Sequence, residues 1–174
     1  MHTADELDFH DFAASRWARL FRIALLLTDD QGLAEDLAQS TLTAVYASWS
    51  RVRRADDPDA YARRILLNSH LSRFRRKRPR EIPLASDLEA TVVGAPDPAG
   101  AVDTRLVLRA ALASLPPRQR AVVVLRYWAD LTEEQTAATL GCAVGTVKSQ
   151  ASKAIAKLRT HPALAPAPEE VYDR

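Results

Sequence analysis

The 174-residue chain has little of what catalytic and secreted proteins are commonly built on. Its one cysteine, Cys142, excludes a disulfide framework and a cysteine-rich zinc site. The four histidines, His2, His10, His70 and His161, are scattered, and no Cys/His spacing suits a metal. No glycine-rich phosphate loop or serine nucleophile elbow occurs. The adjacent acids Asp29-Asp30 and Asp56-Asp57 read as turn caps, not acid–base pairs. No catalytic residue, metal or cofactor is therefore expected. The longest strongly apolar stretch, Ile23–Leu27, is far too short to span a bilayer. The acidic, polar start Met1–Asp11 is unlike a secretory signal. These absences point to a non-enzymatic, soluble, cytoplasmic protein with no membrane partner.

Glycine is scarce as well, at five residues, and two of them, Gly94 and Gly100, sit beside Pro96 and Pro98. The ten prolines avoid 1–57, 59–78 and 118–161. Proline removes a helical donor and restricts the residue before it, so these gaps mark helical blocks. β-signals are weak. Val122–Leu125 is short and apolar, but it lies inside a longer helical pattern and has no pairing partner. The expected fold is all-α: two small helical domains, 8–79 and 104–161, joined by a flexible acidic linker, 80–103, and followed by a tail, 162–174. The C-terminal domain is expected to carry a helix-turn-helix.

The formal net charge of +2 hides a segregated layout. Residues 1–50 carry net −5, 51–80 net +8, 81–104 net −5, 105–161 net +6 and 162–174 net −2. Two basic blocks around an acidic connector suggest a polyanion touched at two places.

In the first block, Phe9, Phe12, Ala13, Trp17, Leu20, Phe21 and Ala24 recur at helical spacing, predicting a helix from Asp8 or His10 to about Leu27. Thr28–Gly32 reads as a turn. A second helix comes next, with Leu33, Leu37, Ala38, Val45, Tyr46 and Trp49 apolar. Asp36, Gln39, Ser40 and Thr43 lie off that stripe and, on pattern alone, form a solvated face. A third helix spans about Asp59 to Lys77. At about 100° per residue, Tyr61, Arg64, Asn68, Ser72 and Arg75 share one arc between two apolar flanks. An aromatic, amide and basic strip suits a single-stranded backbone and its unstacked bases. The run Arg73 to Arg78, which includes Arg76, adds a phosphate clamp beyond what a helix C-terminus needs.

The second block opens with a helix from Asp103 or Thr104, carrying Leu106, Leu108, Ala111, Leu112 and Leu115. Pro116-Pro117 ends it and starts the next, whose apolar members are Ala121, Val122, Leu125 and Trp128. Thr132-Glu133-Glu134-Gln135 is a capping box. It leads a helix with Ala137, Ala138 and Leu140 inward, and Gly141 supplies a turn that requires positive φ. Val144, Val147, Ala151, Ile155 and Leu158 then face inward. This is helix-turn-helix spacing, in which the second helix enters the major groove. Thr146, Lys148, Ser149, Ser152 and Lys153 face outward, placed to reach phosphates or base edges. Ala143 stands where an N-cap belongs, a defect worth about 1 kcal/mol. Cys142 reads as a small buried packing residue.

Three stretches resemble bacterial RNA polymerase sigma factors of the extracytoplasmic-function type. They are Leu26–Asp30 with Ala34–Gln39, Asp57–Asn68, and Leu115–Arg120 through Gly145–Gln150. Ser149-Gln150-Ala151-Ser152 and the bias of 20 arginines to 4 lysines are similar to the SigE-like actinobacterial subgroup. The resemblance implies partners: core RNA polymerase at its clamp and flap regions, promoter DNA, and an anti-sigma factor in those members that have one. It implies that Asp36, Leu37, Gln39, Ser40 and Thr43 dock on the polymerase. It implies that Tyr61, Arg64, Asn68, Ser72, Arg75 and Arg76 bind the −10 strand, and that Asn68, with Tyr61 and the Asp56–Asp59 loop, captures a flipped base, whose unstacking costs a few kcal/mol. Thr146, Lys148, Ser149, Ser152 and Lys153 would then read the −35 duplex, and the acidic linker would run near the RNA exit path.

Two other readings fit parts of the chain. A helix-turn-helix regulator would bind duplex DNA without polymerase, and an interaction protein would sequester a partner through its apolar helices. A plain regulator needs neither the Tyr61/Asn68/Ser72 strip nor a clamp-docking helix.

Overall fold

The computed structural model describes residues 3–76 and 99–164. No β-strand occurs among the described residues.

Helix α1 spans Thr3–Thr28, beginning well before the expected start. Leu20, Ile23, Ala24 and Leu27, three and four residues apart, are its buried face. The turn after it is shorter than the pattern suggested. The Thr28 hydroxyl donates back to the Ala24 carbonyl, and Asp29 takes a left-handed φ of 58°. Asp30 then N-caps the next helix, its Oδ1 accepting the Leu33 N–H at 2.7 Å. With that cap, α2 spans Gln31–Tyr46 and Gly32 lies within it. Ala34, Leu37, Ala38, Thr41 and Val45 are buried.

Trp49 does not continue α2. The chain breaks at Ala47 and Ser48 and forms a one-turn helix, α3, at Trp49–Val52. The break turns the Trp49 ring onto Phe9 and Phe12, at centroid distances of 5.4 and 5.0 Å. Helix α4 spans Pro58–Arg76, with Asp57 Oδ1 accepting the Ala60 N–H at 2.8 Å. Asp30 and Asp57 thus act as the caps expected of them. Ala62, Leu66 and Leu67 bury the apolar side of α4, together with Arg63 and His70.

In the second block α5 spans Ala99–Ala113, so its start lies upstream of Asp103. Most of the expected linker falls outside the described residues, as does the tail from 165 on. Pro117 is the first residue of α6, Pro117–Val123, with its φ already helical. The helix then widens into a π-helical turn, Val124–Trp128, which Asp130 ends at φ 54°. Each π turn holds more residues than an α turn, so the side chains beyond it face a different direction. The wide turn keeps Ala121–Leu125 and Ala129 inward, and it turns Trp128, expected inward, out to 50% exposure.

The capping box is present: the Thr132 hydroxyl accepts the Gln135 N–H at 3.1 Å and Gln135 Oε1 accepts the Thr132 N–H at 2.8 Å. Helix α7 spans Glu133–Leu140 and α8 spans Val144–Arg159. Gly141 between them sits at φ 62°. On α7, Ala137 is inward as expected, but Thr136 and Thr139 are buried where Ala138 was placed. Ala137, Val147 and Val122 form a small core of their own, with Cys142 half-buried beside them.

The main core is continuous across the two blocks. Leu20, Ile23, Leu27 and Leu66 join Leu112, Leu115, Val124 and Leu125 in one apolar cluster. Helix α4 lies against α6 and α7, and α1 against α5 and the π turn. Polar ties reinforce this. Arg120 Nη1 donates to the Leu27 carbonyl at 2.7 Å, and Arg109 Nε to Asp29 Oδ1 at 3.0 Å.

Candidate nucleic-acid interface

Three groups of expected site residues occupy two surfaces. The first is a groove of about 730 Å³ between α2 and α4. Asp36, Leu37, Gln39, Ser40 and Thr43 line one wall, and Asn68, Ser69, Ser72 and Arg73 the other. The spacing of α2 and α4 therefore joins the expected polymerase-facing set to part of the expected strand-binding set. Asp36, Gln39, Ser40, Thr43 and Asn68 are exposed. Leu37 is 2% exposed, so its side chain belongs to the core and only floors the groove. The Ser40 hydroxyl donates to the Leu37 carbonyl and that of Thr43 to Gln39, leaving lone pairs outward.

Toward the start of α4 the strip changes character. Arg64 is exposed, whereas Tyr61 is half-buried and held. Arg51, on α3, donates from Nη2 to the Tyr61 hydroxyl at 3.0 Å, and its guanidinium carbon lies 5.8 Å from the ring centroid. Hydrogen bonds from Ser48 and Arg51 lower the Tyr61 pKa. Ser48 occupies the N-cap of α3 but makes no capping bond there, its backbone at φ −119°, ψ 15° lying outside the extended capping region. Arg75 and Arg76 lie on the last turn of α4, and their side chains fall outside the described residues. Sequence reasoning missed Arg51. The signal was present, since Arg51 opens the basic segment, but pairing it with Tyr61 requires the fold of α3 against α4.

The loop before α4 is cross-braced. Arg16 pairs with Asp59 at 2.6 Å, Arg63 with Asp57 at 3.3 Å and Arg53 with Asp8 at 3.5 Å. These carboxylates fix the loop's geometry, and their pairing spends arginine charge that would otherwise attract phosphate.

The second surface is α8. Val147 is fully buried and Ala137 nearly so, which lets α7 and α8 cross closely. Thr146, Lys148, Ser149, Ser152 and Lys153 are all exposed on the opposite side. Lys148 Nζ lies 3.5 Å from Glu133 Oε2, a solvent-exposed pair that phosphate can displace at little cost. Ala143 precedes α8 at φ −72°, ψ 150°, a capping conformation with no side chain to fill it. The first-turn N–H groups are thereby left to solvent or an anion. The arrangement suits contact with a polyanion. Among the described residues, no group of three or more His, Cys, Asp or Glu could hold a metal ion, and no helix is long and apolar enough to cross a membrane.

Comparison with known proteins adds to this geometry. Residues 15–80 match the family model described as Sigma-70 region 2, and residues 105–158 match Sigma-70, region 4. The chain is 35% identical over 159 residues to the RNA polymerase sigma-E factor of Streptomyces avermitilis, covering 91% of this chain and 87% of the relative. It is also 35% identical over 147 residues to the ECF RNA polymerase sigma factor SigL of Mycobacterium tuberculosis, covering 82% and 81%. Among solved structures it is similar to the sigma factor RpoE of Bartonella quintana, solved with the anti-sigma factor NepR. That match has a TM-score of 0.68 and 26% identity, and covers 87% of this chain and 94% of that one. CnrH, solved with the cytosolic domain of CnrY, shares the fold at a TM-score of 0.61 and 22% identity, covering 88% and 86%.

Proposed function

The chain belongs to the extracytoplasmic-function sigma factors of RNA polymerase, and from that premise we propose how its own residues direct promoter-specific transcription initiation. The observation that carries the reading is the groove in which Asp36, Gln39, Ser40 and Thr43 of α2 face Asn68 and Ser72 of α4. On this reading the α2 wall docks on the polymerase clamp. Tyr61, Arg64, Asn68, Ser72, Arg75 and Arg76 then receive the −10 strand as it leaves the polymerase surface. The aromatic ring and the amide bind a base once it is unstacked, and the arginines take phosphates, which offsets the melting cost. Helix α8 reads the −35 duplex with Thr146, Lys148, Ser149, Ser152 and Lys153, lysines on phosphate or guanine edges and hydroxyls on either.

The chain supplies binding only, and the polymerase does the chemistry. The place of action is the cytoplasm, where the polymerase works. An anti-sigma factor is a further partner on this reading, motivated by the RpoE relative solved with one. Run-off transcription with core polymerase tests the whole scheme. Promoter-specific transcripts are expected, with Asn68→Ala and Gln39→Ala each reducing them. Absence of a specific transcript from the wild-type holoenzyme, with duplex binding retained without polymerase, would favour a plain helix-turn-helix regulator.

A further inference from the structure

The sigma-factor reading places Tyr61 on the −10 strand but assigns nothing to the residue that touches its ring. Arg51 is exposed, its guanidinium carbon lies 5.8 Å from the ring centroid, and it donates one of its five N–H groups to the phenol. Its charge is not compensated as that of three nearby arginines is. Arg16, Arg53 and Arg63 are each paired with a carboxylate. Among the described residues no carboxylate pairs with Arg51, whose partners are a neutral hydroxyl and a ring. Arg64, one turn along α4 from Tyr61, is exposed on the same helix.

An aromatic face beside an uncompensated guanidinium is the chemistry of single-strand binding: the ring stacks a base, and the cation meets a phosphate of the same strand. We propose that Arg51 is a further residue of the −10 strand-binding surface, one that fixes the Tyr61 ring and contacts the strand's backbone phosphate beside it. The inference rests on the sigma-factor reading. It extends that reading from α4 to α3. Ser48 and Arg51 hold the phenol from the segment before α4, so the ring is oriented before a base arrives. Less ordering then remains to be done on binding. Among the described residues the Tyr61 hydroxyl is the acceptor that the Arg51 guanidinium meets, and its remaining donors are available to phosphate oxygens.

The experiment measures affinity of the full-length holoenzyme for a forked −10 oligonucleotide by fluorescence anisotropy across a salt series. Wild type is compared with Arg51→Ala, Arg51→Lys and Tyr61→Phe. Arg51→Ala is expected to weaken binding about tenfold and to reduce the slope of log K against log salt by about 0.7, the loss of one phosphate contact on a single strand. Arg51→Lys keeps the charge and is expected to keep the slope. Tyr61→Phe loses the phenol anchor and is expected to weaken binding with the slope unchanged. If Arg51→Ala instead matches Tyr61→Phe with an unchanged slope, Arg51 is only a prop for the ring and the phosphate contact is refuted. Unaltered affinity in Arg51→Ala refutes the whole assignment. A mutant that fails to fold shows itself as lost −35 duplex binding by the same holoenzyme; Arg51→Gln, which keeps a donor for the phenol but no charge, then decides, a slope reduced by about 0.7 supporting the phosphate contact and an unchanged slope refuting it. Absence of polymerase-dependent binding by the wild type overturns the sigma-factor premise, an outcome separable from all of these.

Discussion

Removing the guanidinium of Arg120 tests how the two blocks are held together. Arg120 is 8% exposed and donates from Nη1 to the Leu27 carbonyl at 2.7 Å and from Nη2 to the Ala113 carbonyl. Those carbonyls end α1 and α5, where the last-turn oxygens have no helical donor. One cation thus caps a helix from each block and opposes the negative ends of both dipoles. Arg120→Met keeps the aliphatic stem but leaves two buried carbonyls unsatisfied, at about 1–3 kcal/mol each. Part of this is offset, because burial lowers the Arg120 pKa and its Nε is buried without a partner. A net loss of about 3 kcal/mol is expected, a fall in Tm of about 6–12 °C for a chain of this size. Thermal unfolding followed by circular dichroism and by tryptophan fluorescence provides the check. Trp17 and Trp49 report on the first block and Trp128 on the second. In the wild type the two signals should coincide, because the core is continuous. A Tm within about a degree of wild type for Arg120→Met would refute the double-cap reasoning.

His70 is 2% exposed, and its pKa is pushed down to about 4 by burial first, then by the charges of Arg120 and Arg73. The native state therefore binds fewer protons than the unfolded state between about pH 6.5 and 4, so a contribution of about 3 kcal/mol is complete above that window and lost as pH falls through it. Urea titrations at stepped pH should show this loss, and His70→Phe should flatten it; an equally steep loss in the variant would assign it to other groups. Ala143→Ser supplies the missing cap of α8 and should raise stability by about 1 kcal/mol, read as a higher Tm; no gain would mean that the first-turn donors of α8 are already satisfied. Trp128 at 50% exposure should be the most acrylamide-quenchable tryptophan, ahead of the half-buried Trp17 and of Trp49 at 4%. If Trp128→Phe leaves the quenchable fraction intact, the helix runs α-helical past Val124 and the π turn is wrong.

Where a local device decides the backbone, the sequence is legible. Asp30, Asp57 and Thr132 cap the helices that come after them, and Gly141 takes the positive φ of the helix-turn-helix turn. Where packing decides, it is not. The apolar spacing from Leu33 to Trp49 allows one long helix. The break before Trp49 arises because its ring fills the space beside Phe9 and Phe12, contacts 40 and 37 positions away in sequence. The π turn is hidden in the same way. Ala121–Leu125 are apolar in succession, carry no period to read, and are all buried, so no exposed position marks where the turn widens. Of the site residues, outward placement of Thr146, Lys148, Ser149, Ser152 and Lys153 follows from the inward spacing of Val144, Val147 and Ala151. Arg51 becomes visible only once α3 is laid against α4.

The segregated charge has a second use that the primary structure conceals. Read along the chain, net −5 in 1–50 and net +6 in 105–161 suggest two faces turned to different external partners. In the folded chain they also meet one another. Arg109 donates to the carboxylate and carbonyl of Asp29, Arg120 to the end of α1, and Arg19 returns the contact with Nη2 on the Ala129 carbonyl. The basic residues of the second block thus divide by position. Arg109 and Arg120 on α5 and α6 face the first block, while Lys148 and Lys153 on α8 stay exposed. Arginine suits the inward role because its planar fork satisfies two carbonyls at once and its weak hydration makes burial cheaper. Lysine suits the outward role, where a mobile, hydrated point charge can follow a phosphate. The 20 arginines and 4 lysines are therefore not one pool of positive charge. A salt series on the whole chain reports the exposed lysines and the arginines left unpaired; the inward-facing Arg109 and Arg120 answer to it only if the two blocks part.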